Sequence, residues 1–590
     1  MFTTRPEIAG TFGVVASTHW IASQVGMAVL ERGGNAFDAA AATAFTLQVA
    51  EPHLNGPGGD APIIVHSAAT GSQHVVCGQG VSPAGATIGH FEGLGLDLIP
   101  GTGLLPAVVP GAFDAWCLTL RDWGTWELAD VLAFAIGYAR NGIHLVPRIS
   151  ATIEGIRPLF EEEWTTSAAV FLPHGRTPGP GALFANPALA DTYARICREA
   201  VGDTREARIE AARHAWYQGF VAEAVDRFFR TEVLDASGRR HKGVLGGADF
   251  AGWSARVEDP VAFDYHGHTV LKCGPWSQGP VFLQQLALLA GFDIGAMDPL
   301  GPDFVHTVVE CAKLAFADRE AFYGDPDHVR VPLSTLLSPA YNDARRKLVD
   351  AKASFELRPG AIEGFKAVVD HGAAARAEML TRAPGVGEPT VARLGVIGAD
   401  TCHVDVIDRW GNMVSATPSG GWMQSSPVVP GLGFPMGTRG QMFWLTPGLP
   451  NSLAPGKRPR TTLSPSFALR EGKPWMAFGT PGGEQQDQWS LTFFLRMVHH
   501  NLNIQQAIDM PSFHTEHWPS SFWPRVARPG KLVLEGRFGQ GMLEEMARRG
   551  HAAELGEEWS EGRLSGARIE GDQMLAGANP RGMQGYAVGR

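Results

Sequence analysis

Asp400-Thr401-Cys402-His403-Val404-Asp405-Val406-Ile407-Asp408-Arg409-Trp410-Gly411-Asn412-Met413-Val414-Ser415-Ala416-Thr417 reads as a β-hairpin. Cys402, Val404 and Val406 alternate with His403, Asp405 and Ile407, the period of a half-buried strand. Asp408 to Asn412 is rich in turn formers and closes the hairpin. Met413, Ser415 and Thr417 then continue along one face. Just upstream, residues 351–399 are polar and rich in Gly, Pro and Ala, and read as a loose linker.

Further out, residues 14–32 carry helical spacing and stop at Gly33-Gly34. Asn35 caps a second helix over residues 36–49, whose small apolar composition predicts full burial. Residues 61–78 read as strands, and Pro110-Gly111-Ala112 opens another helix. Helical character returns at residues 185–212 and 281–289, and again after Pro302-Asp303, where Val305, Val308, Ala312 and Ala315 share one side.

Composition narrows the function. The 590 residues are 44% hydrophobic and 18% charged, as in a folded globular chain. The 72 glycines and 41 prolines predict many tight turns. A net charge of −11 argues against nucleic-acid binding, which needs a basic surface. Cys77, Cys117, Cys197, Cys273, Cys311 and Cys402 form no C-x-x-C pair and read as small buried side chains in a reducing compartment. Residues 1–7 lack a basic region followed by an apolar run, and no stretch has the length of a membrane helix. A cytoplasmic protein is expected. His499, His500, His514 and His517 have tempting spacings but no second cluster of ligands, so no metal site is expected.

The hairpin resembles the start of the small subunit in the γ-glutamyltranspeptidase family through Thr401, His403, Asp408, Gly411 and Asn412. Other segments resemble that family in the same order along the chain. These are Gly33 to Ala40, Gly56-Pro57-Gly58-Gly59-Asp60, the set Glu310, Lys313, Phe316, Asp318 and Arg319, Pro455 to Pro465, and Gly479-Thr480-Pro481-Gly482-Gly483. The resemblance implies an Ntn-hydrolase α/β fold, a four-layer αββα sandwich. It implies one chain that cuts itself at Asp400–Thr401 into a large subunit, residues 1–400, and a small catalytic subunit, residues 401–590. It implies no cofactor. The expected partners are a small amide substrate, water or an amine acceptor, with the two fragments forming a heterodimer or a dimer of such pairs.

By the same resemblance Thr401 is the nucleophile. An N-terminal threonine carries its own base, because its α-amine titrates near pH ~8 and is partly neutral at physiological pH. Gly482 and Gly483 supply backbone N–H groups to an oxyanion, against the plainer reading of a turn. Ser419 stands where the family has a threonine that assists the nucleophile. Thr461 and Thr462 match a hydroxyl pair that binds a substrate carboxylate, or are ordinary strand residues. Lys457 and Arg458 read as structural ion-pairing groups, since no phosphate loop precedes them.

The substrate anchors depart from the family. Val81 stands where an arginine holds the glutamyl α-carboxylate, Met442 where an aspartate holds the α-ammonium, and Gly421 where an asparagine touches substrate. Two lost charged anchors are worth roughly 3–6 kcal/mol, or about two to four decades of binding. Arg439 is a new cation beside Met442, Phe443, Trp444 and Trp422. The chain between Phe443 and Lys457 is short for the family's lid loop, which leaves room for bulkier amides. The expectation is an N-terminal-threonine amidohydrolase or acyltransferase acting on a dicarboxylic monoamide or glutaryl-type amide. The alternatives are a true γ-glutamyltransferase or glutathione hydrolase with other anchors, and an inactive relative that serves as a binding protein.

Overall fold

The computed structural model describes residues 2–370 and 401–590. The hairpin is present: Val404–Asp408 and Met413–Ala416 run antiparallel, with Val404 opposite Ala416 and Ile407 opposite Met413. The Asp408 carboxylate closes the turn by accepting from the Trp410 and Asn412 N–H groups and the Asn412 side-chain amide. It also accepts from the Ala36 N–H, which ties the turn to the start of a helix.

The strand differs from the half-buried expectation, because both of its faces are buried. Val404 and Val406 pack in a helix layer, and Ile407 packs toward a second sheet. Its polar side chains satisfy one another, which is the condition for burying them. The His403 ring lies 2.9 Å from both Thr417 Oγ1 and Asp405 Oδ1, and the Ser565 hydroxyl donates to Asp405 Oδ2 at 2.9 Å.

Two seven-stranded antiparallel sheets make up the centre of the described residues. One runs Tyr586–Gly589, Gly13–Ser17, Val404–Asp408, Met413–Ala416, Ala61–Ser67, Ser72–Gly78, Arg256–Glu258. The other runs Ile8–Gly10, Gln573–Ala578, Ser565–Glu570, Lys473–Gly479, Ser466–Arg470, His268–Lys272, Val261–Tyr265. They face each other across a core that includes Val14, Ile64, Ile407 and Met413 from the first sheet and Leu271, Phe467, Ala477 and Ala567 from the second. The outer face of the first sheet is covered by the Trp20–Glu31, Ala36–Ala50 and Ala112–Trp123 helices. That of the second is covered by Pro280–Leu289, Pro302–Phe322 and Gln486–His500. Each sheet buries two faces, so the order is helix, sheet, sheet, helix.

Asn35 caps Ala36–Ala50 through a reciprocal box with Asp38, and every residue of that helix is buried. Residues 14–32 depart from the single helix expected. Gly13–Ser17 is a strand paired to Val404–Asp408, and the helix begins only at Trp20. Of the expected linker, residues 371–399 and the Asp400 side of the proposed cut lie outside the described residues. Residues 351–370 are not loose throughout: the Ala353 N–H donates to Arg549 O at 2.8 Å and Lys313 Nζ to Ser354 O at 3.0 Å.

Candidate active site

Thr401 lies just before the Val404–Asp408 strand, in an isolated bridge to Ser419, and is 1% exposed. Its Oγ1 lies 3.1 Å from Ser419 Oγ. The next residue points the other way, and the Cys402 thiol donates to Glu51 Oε2 at 3.1 Å. Burial raises the Glu51 carboxyl above the usual carboxylate range, against hydrogen bonds from Thr18, Cys402 and Gln584.

Ser419 is held by its main chain. Its N–H donates to Asp60 O at 2.9 Å, and the Asp60 N–H returns a bond to Ser419 O at 2.8 Å. This explains the glycines before Asp60. A Cβ on Gly59 would sit 2.1 Å from Ser419 O, and one on Gly56 would sit 2.2 Å from Gly421 O. Residues 56–60 are therefore a backbone cradle for residues 419–421.

The side chain of Asp60 faces Arg439. Arg439 Nε lies 3.1 and 3.0 Å from the two carboxylate oxygens, and both residues are buried. Burial raises the Asp60 carboxyl, and the Arg439 charge opposes that rise. Both Arg439 Nη atoms are buried and have no partner among the described residues. The guanidinium lies 5.2 Å from the Trp422 ring centre and 5.9 Å from that of Phe522. Met442 is fully buried in the same aromatic cluster. A buried guanidinium with unpaired N–H groups is costly unless an acceptor meets them.

The Lys473–Gly479 strand ends beside His403: a Cβ on Gly479 would sit 2.4 Å from His403 Cε1. The chain then turns through Thr480 to Gly483. Gly482 has φ +125° and Gly483 φ +51°, conformations suited to glycine. Their carbonyls and the one before are engaged. Thr480 Oγ1 donates to Pro481 O at 2.8 Å, the Gln485 N–H to Gly482 O at 2.8 Å, and the Gln486 N–H to Gly483 O. A peptide N–H points opposite its C=O, so the Gly482 and Gly483 N–H groups face away from these partners. Neither is paired with an acceptor among the described residues.

Thr461 and Thr462 are buried and lie before the Ser466–Arg470 strand, with Thr461 in an isolated parallel bridge to Ser277. The Thr461 N–H donates to Trp276 O, and its hydroxyl accepts from the Leu463 N–H at 3.3 Å. Thr462 Oγ1 is buried with no partner among the described residues. Val81 packs at the edge of the helix-layer core, apart from the cluster that holds Met442. Arg458 is an ion-pairing residue, 2.7 Å from Asp325 and 2.5 Å from Glu258. Lys457 departs from that reading, since its Nζ donates to the Pro450 and Ser452 carbonyls. His514 lies in the Phe513–Thr515 strand between Glu561 and Glu516. The sequence reading gave no role to Asp60, Phe522 or Gln278. For Asp60 the signal was present, as the residue that ends a run of closely packed glycines.

Two facing antiparallel sheets between helix layers form the four-layer sandwich of the Ntn-hydrolase fold. A family model described as gamma-glutamyltranspeptidase matches residues 22–589, and the chain belongs to that family. It is similar to the glutathione hydrolase-like YwrD proenzyme of Bacillus subtilis (strain 168), at 30% identity over 595 residues and 99% of each chain. The solved structure of LmbA2991HD matches it with a TM-score of 0.94 at 56% identity, covering 100% of both chains. Cephalosporin acylase from Bacillus halodurans matches with a TM-score of 0.82 at 28% identity, covering 100% of this chain and 98% of that one. The chain is thus an amide-hydrolysing enzyme of a family whose members are processed into large and small subunits. No helix among the described residues is long and apolar enough to cross a membrane.

Proposed function

We propose that Thr401, freed by cleavage of the Asp400–Thr401 bond, hydrolyses amides whose acyl group carries a second carboxylate, of the dicarboxylic monoamide or glutaryl type. The α-amine of Thr401 takes the proton from its own hydroxyl as Oγ1 attacks the carbonyl. The Ser419 hydroxyl, 3.1 Å away, orients that oxygen. The tetrahedral oxyanion sits against the Gly482 and Gly483 N–H groups. The α-ammonium returns the proton to the leaving amine. Water, or less often an amine, then takes the acyl group from the threonine ester.

The observation that carries the acyl preference is Arg439. Its Nε is held by Asp60, and its two buried Nη atoms, near Trp422 and Phe522, have no partner among the described residues. A carboxylate accepts from such a pair of N–H groups in the strong bidentate geometry. Met442 offers no charge to an α-ammonium, so a chain ending in a bare carboxylate fits better than a glutamyl group. The cephalosporin acylase likeness supports an enzyme that accepts acyl groups other than glutamyl.

A panel of 4-nitroanilides tests this. Glutaryl and succinyl anilides are expected to be turned over at least about tenfold better, in kcat/KM, than the γ-glutamyl anilide. The reverse order would favour the second reading, a γ-glutamyl hydrolase with other anchors. The Thr462 hydroxyl, without a partner among the described residues and at a position matching a family carboxylate ligand, speaks for that reading. Cleavage leaves a heterodimer of residues 1–400 and 401–590. The unpaired cysteines suit a reducing compartment, and we place the enzyme in the cytoplasm.

A further inference from the structure

We infer that Gln278, contributed by residues 1–400, is the positioning residue that locks the Gly482–Gly483 turn. The inference rests on the oxyanion role of those glycines. Gln278 is fully buried just before the Pro280–Leu289 helix. Its main-chain N–H donates to Thr461 O at 2.9 Å, and its side-chain Nε2 donates to Gly483 O at 3.2 Å. One residue therefore binds both small-subunit segments that matter, the threonine pair and the glycine turn.

The direction of the amide is set from behind. Arg319 Nη1 donates to Gln278 Oε1 at 3.0 Å. A guanidinium only donates, so the amide oxygen faces Arg319 and the amide nitrogen faces Gly483. Arg319 is itself fully buried and held by Glu320, with Nη2 2.7 Å from Oε1. It also lies 3.7 Å from Glu484, the residue after the turn. Arg319 sits on the Pro302–Phe322 helix, so the chain of contacts runs from a buried helix through Gln278 into the turn.

The turn needs this hold. Gly482 and Gly483 both have positive φ and carry no side chain to brace them. The Thr480, Gln485 and Gln486 bonds are local to the turn, whereas Gln278 is a hydrogen bond that fixes it to the other subunit. Preorganised donors stabilise an oxyanion because they need no reorientation as charge develops. A turn free to rotate keeps its donors but loses that advantage.

The test uses Gln278→Glu and Gln278→Met in the full chain. Gln278→Glu keeps the shape and the Arg319 contact but has no N–H for Gly483. Gln278→Met keeps only the length. The probes are 4-nitrophenyl acetate, which has no second carboxylate for Arg439, and glutaryl 4-nitroanilide, with Thr401→Ala as the blank. Both variants are expected to lower kcat about 10–100-fold on both probes, with KM changed less than about threefold; Gln278→Glu is expected to melt near wild type, and Gln278→Met, which leaves the buried Arg319 Nη1 without its acceptor, to melt lower. Wild-type kcat in Gln278→Glu, or a change confined to KM, overturns the positioning role. Acylation by 4-nitrophenyl acetate that survives Thr401→Ala would instead overturn the nucleophile assignment beneath it.

Discussion

The Thr401 and Ser419 hydroxyls lie 3.1 Å apart, both in a site closed to solvent. Ser419 keeps its place through main-chain bonds to Asp60, so its side chain can be removed without releasing the backbone. Ser419→Ala is expected to fold, and to lower kcat about 10–100-fold because the nucleophile loses an orienting partner. Steady-state kinetics on any anilide that the wild type accepts reads this directly. An unchanged kcat would remove Ser419 from the machinery.

Arg439 is expected to decide which acyl groups bind. Removing it alone leaves Asp60 buried without a partner, a loss of about 3–5 kcal/mol. The paired change Asp60→Asn with Arg439→Met avoids that. On a glutaryl anilide this double variant is expected to lose about two to four decades in kcat/KM, the equivalent of two charged hydrogen bonds. On a neutral butyryl anilide the loss is expected to stay within about tenfold. Equal losses on both substrates would show that Arg439 only supports the fold.

The hairpin at residues 404–416, the cap at Asn35 and the helices after Pro110 and Pro302 were legible because their signals are local: alternation, turn residues and caps. The strand at Gly13–Ser17 was not. No glycine or proline separates Val14-Val15-Ala16 from Trp20, and what makes it a strand is pairing with Val404–Asp408 far along the chain. Thr401, Ser419, Gly482 and Gly483 enter the candidate site through the family resemblance alone. The Asp60–Arg439 pair joins residues 379 positions apart, and no periodicity announces it. Phe522 and Gln278 reach the site from loop and helix-start positions that look unremarkable in sequence.

Gly482 tests the turn in a second way. At φ +125° an alanine is strained, and its Cβ would meet Trp489 Cζ3 at 2.5 Å. Gly482→Ala is expected to lower stability by about 1–3 kcal/mol and to reduce kcat at least about 100-fold. Thermal melting and kinetics separate the two effects. A stable variant with wild-type turnover would move the oxyanion site elsewhere.

His514 supplies a pH dependence. Burial lowers its pKa, but the Glu561 and Glu516 carboxylates outweigh this and raise it to about 10. The stabilisation is therefore complete below a pH of about 6.5, the unfolded value, and is lost as pH rises toward the folded value. Melting temperature is expected to fall between those limits, and the slope is expected to flatten in His514→Gln. An equal slope in both proteins would show that His514 is not charged in the fold.

The central claim is that Thr401 becomes an N-terminus and does the chemistry. Denatured mass and N-terminal sequencing of freshly purified protein test it most directly. Two fragments are expected, the smaller spanning residues 401–590 and beginning Thr-Cys-His, together with a single inactive chain for Thr401→Ala. One intact wild-type chain of 63.2 kDa that nevertheless hydrolyses amides, or a processed and active Thr401→Ala, would contradict it.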